Sequence, residues 1–258
     1  FLILSFPFMS SFLEKDGMTN SPGYGPSSNT KSLFLKAYRY GTSSYAIKRL
    51  DSRKTSGRTS LDWLFWYAEW SGRRILIDSG FTHAKYIKRF GIKKYRDPAS
   101  LLAEDGIAAS EITDIIVTHS HFDHIGGVHR FPNANIWIQQ KEYSSFSKSS
   151  RYKEVQDYFT EAIAQGRLRL VDGNQEIYPG IEVRLTGGHT VGHQIVVIHD
   201  VTKHVFVGDE CYQDHLCRQK IPLPNISCYS RKKNAAFLQS LSDMYDSGAV
   251  IHRLHELE

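Results

Sequence analysis

Four side chains that can bind metal ions stand within six residues of one another in the middle of the chain. They are His119, His121, Asp123 and His124, in the run Thr-His-Ser-His-Phe-Asp-His that begins at Thr118. Imidazole nitrogens and carboxylate oxygens are the ligands that zinc takes when no thiolate is present. Because side chains alternate along an extended chain, His119 and His121 would point the same way, and a bend after them would turn Asp123 and His124 toward a second position. The run therefore predicts a site for two metal ions.

Further candidate ligands follow three later strands that the sequence predicts. His189 comes after the strand predicted at 181–185, Asp209 after that at 204–207, and His255 after that at 249–251. A histidine-rich surface loop, or core histidines satisfied by hydrogen bonds, would also explain the first run on its own. Ligands at the ends of successive strands converge on one edge of a sheet, however, and this favours the metal site.

Hydrophobic patterning and turn residues indicate the elements that must position these side chains. We predict strands at 63–70, 74–78, 114–118, 135–139, 181–185, 194–198, 204–207 and 249–251, and helices at 97–104, 147–165 and 234–245. Residues 48–60 are polar and basic, which predicts a long exposed loop. Many strands mixed with a few outer helices are typical of sheets that pack together under a cover of helices. We expect one such domain over 33–258, after an apolar and flexible leader at 1–32.

The run from His119 to His124 resembles the His-x-His-x-Asp-His signature of the metallo-β-lactamase superfamily. Residues 77–80, 188–193 and 208–209 are similar to other motifs of that family and occur in the same order. The resemblance extends from about Phe65 to His255. It implies an α+β fold, a four-layer αββα sandwich, with the site at one edge between the two sheets.

The resemblance also implies a role for each candidate ligand. The first metal ion would be bound by His119, His121 and His189. The second would be bound by Asp123, His124 and a C-terminal histidine, and Asp209 would bridge the two ions. His252 and His255 are both open as the C-terminal ligand. We choose His255, because the pair His255-Glu256 is similar to the His-acidic pair of many relatives.

Two residues next to the ligands are expected to support them. Asp78 would accept a hydrogen bond from the free N–H of a ligand histidine and so orient its ring. Asp78 is also a turn former before Ser79 and Gly80, and that interpretation stays open. His193 belongs to the same family motif as His189, and we expect it to support the loop.

Such a site predicts hydrolysis. Two cations about 3.5–4 Å apart lower the pKa of a shared water and give hydroxide near neutral pH, which attacks a carbonyl or phosphoryl centre. Asp209 would hold both metal ions and orient this nucleophile, and Asp123 could also shuttle a proton. Zinc is the default, although the same ligands suit manganese, iron or cobalt.

Tyr212 indicates the substrate class. It stands three residues after Asp209, where N-acyl homoserine lactonases of the superfamily carry a tyrosine whose hydroxyl contacts the lactone carbonyl as charge develops. The resemblance thus implies a quorum-quenching type of hydrolase that opens N-acyl homoserine lactones. Packing at the sheet edge is the other interpretation of Tyr212. The alternative functions are a thioester, ester, β-lactam or phosphodiester hydrolase, or a non-catalytic metal-binding module.

Composition limits the partners and leaves the compartment open. The net charge is +5, but the basic residues are scattered, so we expect a small-molecule substrate and no nucleic acid. Three cysteines are too few and odd in number for a disulfide framework, and Cys211 is expected to be a packed thiol beside Asp209. The apolar residues 1–9 are too short for stable membrane insertion. They fit a signal-peptide remnant of a secreted protein, a strap on a cytoplasmic one, or a homodimer contact.

Overall fold

Two β-sheets form the centre of the fold in a computed structural model that describes residues 33–150 and 153–257. The leader predicted at 1–32 lies outside the described residues. The first sheet consists of β1 (Phe34–Ala46), β2 (Arg58–Trp70), β3 (Arg73–Ile77), β4 (Asp114–Ile116), β5 (Asn135–Gln139) and β6 (Leu168–Val171), in that order. The second consists of β7 (Gln175–Tyr178), β8 (Ile181–Leu185), β9 (Gln194–His199), β10 (Lys203–Phe206) and β11 (Val250–His252), in the order β11-β10-β9-β8-β7.

Helices connect the strands and cover the sheets. They are α1 (Ala84–Phe90), α2 (Pro98–Glu104), α3 (Phe122–Ile125), α4 (Gln140–Phe146), α5 (Lys153–Ala164), α6 (Asp214–Arg218) and α7 (Arg231–Asp246). Asp97 begins α2 by accepting a hydrogen bond from the backbone N–H of Ser100, and Pro98 occupies the first helical position, as the sequence predicts. Within the described residues, no helix combines the length and apolar character needed to cross a bilayer.

Strand direction brings the carboxyl ends of several strands to one edge of the sandwich. Strands β3, β4 and β5 are parallel, and Ile77 at the end of β3 is paired with Ile116 at the end of β4. In the second sheet β8, β9 and β10 are successively antiparallel, while β10 and β11 are parallel. The carboxyl ends of β8, β10 and β11 therefore meet at one edge, and the loops after them carry the candidate ligands.

Both faces of each sheet are buried, which produces four layers. Ile75 and Ile77 pack with Val196 in one apolar cluster, while Leu76 and Val197 belong to the other cluster, which includes residues of α2 and α7. Side chains alternate along a strand, so a strand with apolar residues on both faces must have one layer on each side. The predicted αββα sandwich is confirmed.

Three strands were not predicted, and several predicted boundaries were wrong. Strands β1, β6 and β7 mix polar with apolar residues and leave several side chains exposed, so their patterning resembles that of loops. The loop predicted at 48–60 ends earlier, since β2 begins at Arg58 and continues the pairing with β1. The helix predicted at 147–165 corresponds to α5, which begins later, at Lys153. The separate helix α4 ends before it, at Phe146.

A buried carboxylate at the start of β4 links the two sheets. Asp114 at the start of β4 accepts hydrogen bonds from Nε1 of Trp137 at 2.9 Å and from the hydroxyl of Tyr178 at 2.8 Å. Arg73 adds an ion pair at 3.1 Å. Trp137 belongs to the first sheet and Tyr178 to the second, so one fully buried carboxylate connects both.

We expect Asp114→Ala to lower the free energy of unfolding by about 3 kcal/mol, because it leaves buried donors and a cation without their acceptor. Urea unfolding followed by circular dichroism measures the change. Asp243→Ala, at an exposed position of α7, is the control and should change the value by less than about 0.5 kcal/mol. Equal effects of the two substitutions would contradict the role given to Asp114.

Candidate metal centre

Three histidine nitrogens converge on one point beside the end of β4. Nε2 of His119 lies 2.9 Å from Nδ1 of His121, and Nε2 of His189 lies 3.0 Å from that same nitrogen. One ligand atom from each of these histidines and one oxygen of Asp209 all lie within 4.8 Å of one another. Burial lowers the pKa of His119 well below its usual value, and the nearby His124 adds to this. A neutral imidazole is the form that binds a metal ion.

A second group of ligand atoms lies directly beside the first. Asp123 and His124 come from the short helix α3, and His255 follows β11; their ligand atoms lie within 4.8 Å of one another. Oδ2 of Asp123 is 3.3 Å from Nε2 of His124 and 3.6 Å from Nε2 of His255. The structure thus brings together all seven residues that the sequence analysis proposed as ligands.

Asp209 lies between the two groups and presents one oxygen to each. Its Oδ2 is 3.7 Å from Nε2 of His119 and 3.4 Å from Nε2 of His189. Its Oδ1 is 3.3 Å from Nε2 of His124 and 3.1 Å from Nε2 of His255. Burial opposes ionisation of this carboxyl, but His124, His255 and His119 together lower its pKa well below the usual value. This arrangement is the one required of a bridging carboxylate.

The donor atoms of this cluster fit divalent metal ions. Among the described residues, Nε2 of His124, Oδ1 of Asp209 and Nε2 of His255 are buried without a hydrogen-bond partner. Buried polar atoms without a partner are costly, and in native proteins each one requires an explanation. Oδ1 of Asp209 lies 3.3 Å from Nε2 of His124 and 3.1 Å from Nε2 of His255, and a cation held among the three atoms would satisfy all of them. Nitrogen and oxygen donors in this mixture suit zinc.

The structure places His252 away from the cluster. The His252 ring stacks on His204 with 9° between the ring planes, and its Nε2 lies 2.9 Å from Nδ1 of His204. The His252 ring also packs against Trp66 at 4.4 Å. Of the two histidines considered for the C-terminal position, His255 is the one that reaches Asp123 and Asp209.

The rings of three ligand histidines are oriented through their other nitrogen. Nδ1 of His124 contacts Oδ2 of Asp78 at 2.7 Å, and that carboxylate also accepts hydrogen bonds from the backbone and hydroxyl of Thr118. Nδ1 of His189 lies 2.8 Å from the carbonyl of Ser227, and Nδ1 of His255 lies 2.9 Å from the carbonyl of Asp62. Such contacts fix the tautomer and direct Nε2 toward the metal position.

Asp78 combines both interpretations that the sequence left open. It follows β3 with φ of 61°, a left-handed conformation that is uncommon for a residue other than glycine. This turn aims its carboxylate at His124 and Thr118. His193 also lies where expected of a supporting residue: it is fully buried, and its Nε2 accepts a hydrogen bond from the backbone N–H of Asp209 at 3.1 Å.

Glu142 was not predicted to belong to the site. This buried glutamate of α4 accepts hydrogen bonds from the backbone N–H of Ser120 at 2.8 Å, from the Ser120 hydroxyl, and from the backbone N–H of Gly192 at 2.9 Å. It therefore ties the His119–His121 loop to the loop that carries His189. A Cβ on Gly192 would lie 2.3 Å from the backbone nitrogen of Glu142, so glycine is required at this close approach.

Glu210 is a second positioning residue that sequence reasoning missed. Its carboxylate accepts hydrogen bonds from the backbone N–H groups of Gly188 at 2.8 Å and His189 at 3.1 Å, and from Nδ2 of Asn234. Nothing in the local sequence distinguishes Glu142 or Glu210 from an exposed glutamate. The roles of these two residues depend on the tertiary structure, because each carboxylate contacts its partners only when loops distant in the sequence come together.

Tyr212 lies directly against the bridging carboxylate. Its hydroxyl donates a hydrogen bond to Oδ2 of Asp209 at 2.5 Å, and its ring stacks on His255 at 5.0 Å. Burial and the neighbouring Asp209 raise the pKa of Tyr212 well above its usual value. The phenol therefore keeps its proton near neutral pH and remains a donor at the centre of the cluster.

The expectation that Cys211 is a packed thiol was wrong. Cys211 forms a disulfide with Cys217, while Cys228 is free. An odd number of cysteines rules out complete pairing but permits one pair, and a separation of six residues in the chain is enough for the loop before α6 to turn back. The disulfide closes this loop immediately beside Tyr212.

A cleft of about 1180 Å³ opens over the cluster. His121, Asp123, His189, Asp209, Tyr212 and His255 line its floor. One wall is aromatic: Trp63 packs edge-on against His255 with 5.4 Å between ring centroids, and Phe90 packs against Trp63 at 5.7 Å and stacks on Phe122 at 4.8 Å. The cleft thus combines a polar floor with an apolar wall, as is typical of small-molecule sites.

Comparisons with known proteins identify relatives of this chain. The family model of the metallo-beta-lactamase superfamily matches residues 65–215. An N-acyl homoserine lactonase of Bacillus cereus is 34% identical over 100 residues, which is 38% of this chain and only 38% of the length of that enzyme.

Solved structures resemble the whole described fold. An N-acyl homoserine lactone hydrolase, with the product N-hexanoyl-L-homoserine at its catalytic metal centre, superposes with a TM-score of 0.73 at 21% identity, over 88% of this chain and 94% of that one. A dizinc quorum-quenching lactonase superposes with a TM-score of 0.68 at 20% identity, over 88% of each chain. At these identities the likeness shows a shared fold.

Substitution of Asp78 should weaken metal binding without unfolding the protein. We expect Asp78→Asn to lower the zinc affinity of the second ligand group by about 10- to 100-fold, because the acceptor that orients His124 is lost. A competition titration with a chromophoric chelator measures this affinity. Asp51→Asn is the matched control, since Asp51 is a buried aspartate bonded to Arg53 and does not line the cleft. Unchanged affinity in folded Asp78→Asn would contradict this role.

Proposed function

The chain belongs to the metallo-β-lactamase superfamily, and on that basis we propose that it is a dinuclear metal-dependent hydrolase that opens N-acyl homoserine lactones. The observation that carries the substrate class is the position of the Tyr212 hydroxyl on Asp209, between the two groups of ligand atoms. A donor held at this point can contact the carbonyl oxygen of a substrate bound at the cluster. The lactonase relatives and their product-bound structure support the same reaction.

Two divalent cations would be held by the residues of the cluster. His119, His121 and His189 would bind one, Asp123, His124 and His255 the other, and Asp209 would contact both. When bound, such cations polarise a carbonyl oxygen and lower the pKa of a water molecule. Zinc is the metal that these donors suit best among the common choices.

The chain's own residues would then control charge and protons during ring opening. Water adds to the ring carbonyl, the bond between carbonyl carbon and ring oxygen breaks, and the product is a hydroxy acid. The Tyr212 hydroxyl would donate a hydrogen bond to the carbonyl oxygen as negative charge develops there. The carboxylate of Asp123 would take the proton that the water loses and return it to the ring oxygen, as a general acid–base catalyst does.

The aromatic wall supports a substrate with an acyl chain. Trp63, Phe90 and Phe122 pack against one another, all three line the cleft, and Trp63 contacts His255 on its floor. An acyl chain placed along this surface would exclude water and bury apolar area, which stabilises the complex by about 25 cal/mol per Å². The lactone ring would then lie over the cluster.

Hydrolysis of a series of N-acyl homoserine lactones by zinc-loaded protein tests this function. We expect metal-dependent ring opening, with kcat reduced about 100-fold in Tyr212→Phe, because that variant loses one donor to the developing oxyanion. Product formation is measured by chromatography, and the zinc content of each variant by elemental analysis. Tyr229→Phe is the matched control, since Tyr229 also lines the cleft with an exposed side chain, and its backbone hydrogen bond to the carbonyl of His189 does not involve the hydroxyl that is removed.

The outcomes test the substrate class and the roles of the site residues separately. His121→Ala should abolish turnover by removing a ligand. If protein shown to hold two zinc ions per chain opens no lactone, the substrate class is wrong, and thioesters, esters and phosphodiesters are the substrates to assay next. If kcat is equal in Tyr212→Phe and the unsubstituted protein, Tyr212 has no role as a donor.

A further inference from the structure

Four cationic side chains surround the cleft above the metal centre. Arg49 comes from the turn after β1, Arg58 from the start of β2, Arg89 from the last turn of α1, and Lys141 from α4. All four are exposed. The acidic residues of the lining are Asp123, Asp209 and Glu142, which belong to the metal centre and its supports, and Asp172. We call Arg49, Arg58, Arg89 and Lys141 the cationic rim.

The cationic rim lacks the carboxylate partners that other arginines of this protein have. On the surface, Arg39 pairs with Asp62, Arg96 with Glu104, Arg130 with Asp97 and Arg184 with Glu182. Within the described residues, no carboxylate lies within 4.0 Å of any rim cation. Arg58 donates to the hydroxyl and carbonyl of Ser44. Several unmatched cations around a concave surface focus a positive potential into it.

Packing contacts connect the rim to the metal centre along the aromatic wall. This wall extends from His255 through Trp63 to Phe90, and the Arg89 guanidinium lies 5.7 Å from the centre of the Phe90 ring. Arg49 lines the same cleft as Asp123 and Asp209 of the cluster.

We propose that the cationic rim binds an anionic group, a carboxylate or a phosphate, carried by the substrate at the end remote from the bond that is broken. This inference rests on the proposed function, since it places the scissile bond at the cluster and the chain along the aromatic wall. A chain that ends in a methyl group offers the rim cations no partner. Arginine presents a planar fork of donors that matches the oxygens of carboxylate and phosphate.

Binding of uncleavable probes tests the rim without requiring turnover. The probes are N-acyl homoserine lactams with chains of equal length that end in a methyl group, a carboxylate or a phosphate. Isothermal titration calorimetry with zinc-loaded protein gives each Kd. We expect the anion-ended probes to bind about tenfold more tightly than the methyl-ended probe at low salt, as two ion pairs at a partly exposed site allow. The difference should shrink at about 500 mM salt, where exposed charges are screened.

Paired variants assign the effect to the rim. The double variant Arg49→Gln/Arg89→Gln should lose the preference for anion-ended probes and keep the affinity for the methyl-ended probe. The matched control is Lys48→Gln/Lys88→Gln, which removes the same charge from neighbouring exposed positions that do not line the cleft. This control should keep the preference. The ratio of the affinities for the carboxylate-ended and phosphate-ended probes shows which of the two anions the rim binds more tightly.

Three results would overturn the inference. One is equal affinity for methyl-ended and anion-ended probes, and another is a lack of measurable binding by both anion-ended probes. The third is a preference that persists in Arg49→Gln/Arg89→Gln, which would mean that the anion binds the metal centre itself. Because the lactams are not cleaved, a failure to hydrolyse lactones would contradict the proposed function while leaving a rim preference in place.

Discussion

The site depends on one buried carboxylate that must face imidazoles on both sides. Asp209 is almost completely buried, and its two oxygens point to different histidine groups. Removing a charged carboxylate from water costs several kcal/mol, and nearby positive charge together with hydrogen-bond donors such as the Tyr212 hydroxyl offsets this cost. The ionised form of Asp209 therefore requires that loops from both sheets arrive at the same point. Each loop that carries ligand histidines in turn needs Asp209 to complete its group of ligand atoms. This mutual requirement explains why the ends of β4, β8, β10 and β11 meet at one edge of the sandwich.

Other buried carboxylates hold those loops in place. Asp78 binds Thr118 and orients His124, Glu142 joins Ser120 to Gly192, and Glu210 binds the backbone at Gly188 and His189. Backbone N–H groups in a buried loop need acceptors, and a carboxylate can accept several hydrogen bonds at once. The loops that carry the ligands are thus fixed by side chains that do not themselves reach the metal positions. Rigid support of this kind keeps catalytic groups in productive geometry.

Sequence patterning predicted sheets packed under helices and candidate ligands at the strand ends, while the four-layer arrangement and the assignment of ligands to two metal positions were implied by the resemblance to the metallo-β-lactamase superfamily. The apolar run Ile75–Ile77 and the run from His119 to His124 can each be recognised within a few residues. Strand β1 could not be predicted in this way, because its polar and aromatic residues become a strand only through pairing with β2. Glu142, the Cys211–Cys217 disulfide and the cationic rim depend on contacts between segments distant in the sequence or on the course of one loop. Their residues have the same composition as an ordinary surface, so only the structure reveals them.

The central claim is that Asp209 bridges two metal ions, one in each ligand group. Anomalous diffraction at the zinc absorption edge, from crystals of the zinc-loaded protein, tests it directly. We predict two peaks, one on each side of Asp209, each at about 2.0–2.2 Å from its ligand atoms. One peak should contact His119, His121 and His189, and the other Asp123, His124 and His255. A single peak, or two peaks of which one does not contact Asp209, would contradict the claim.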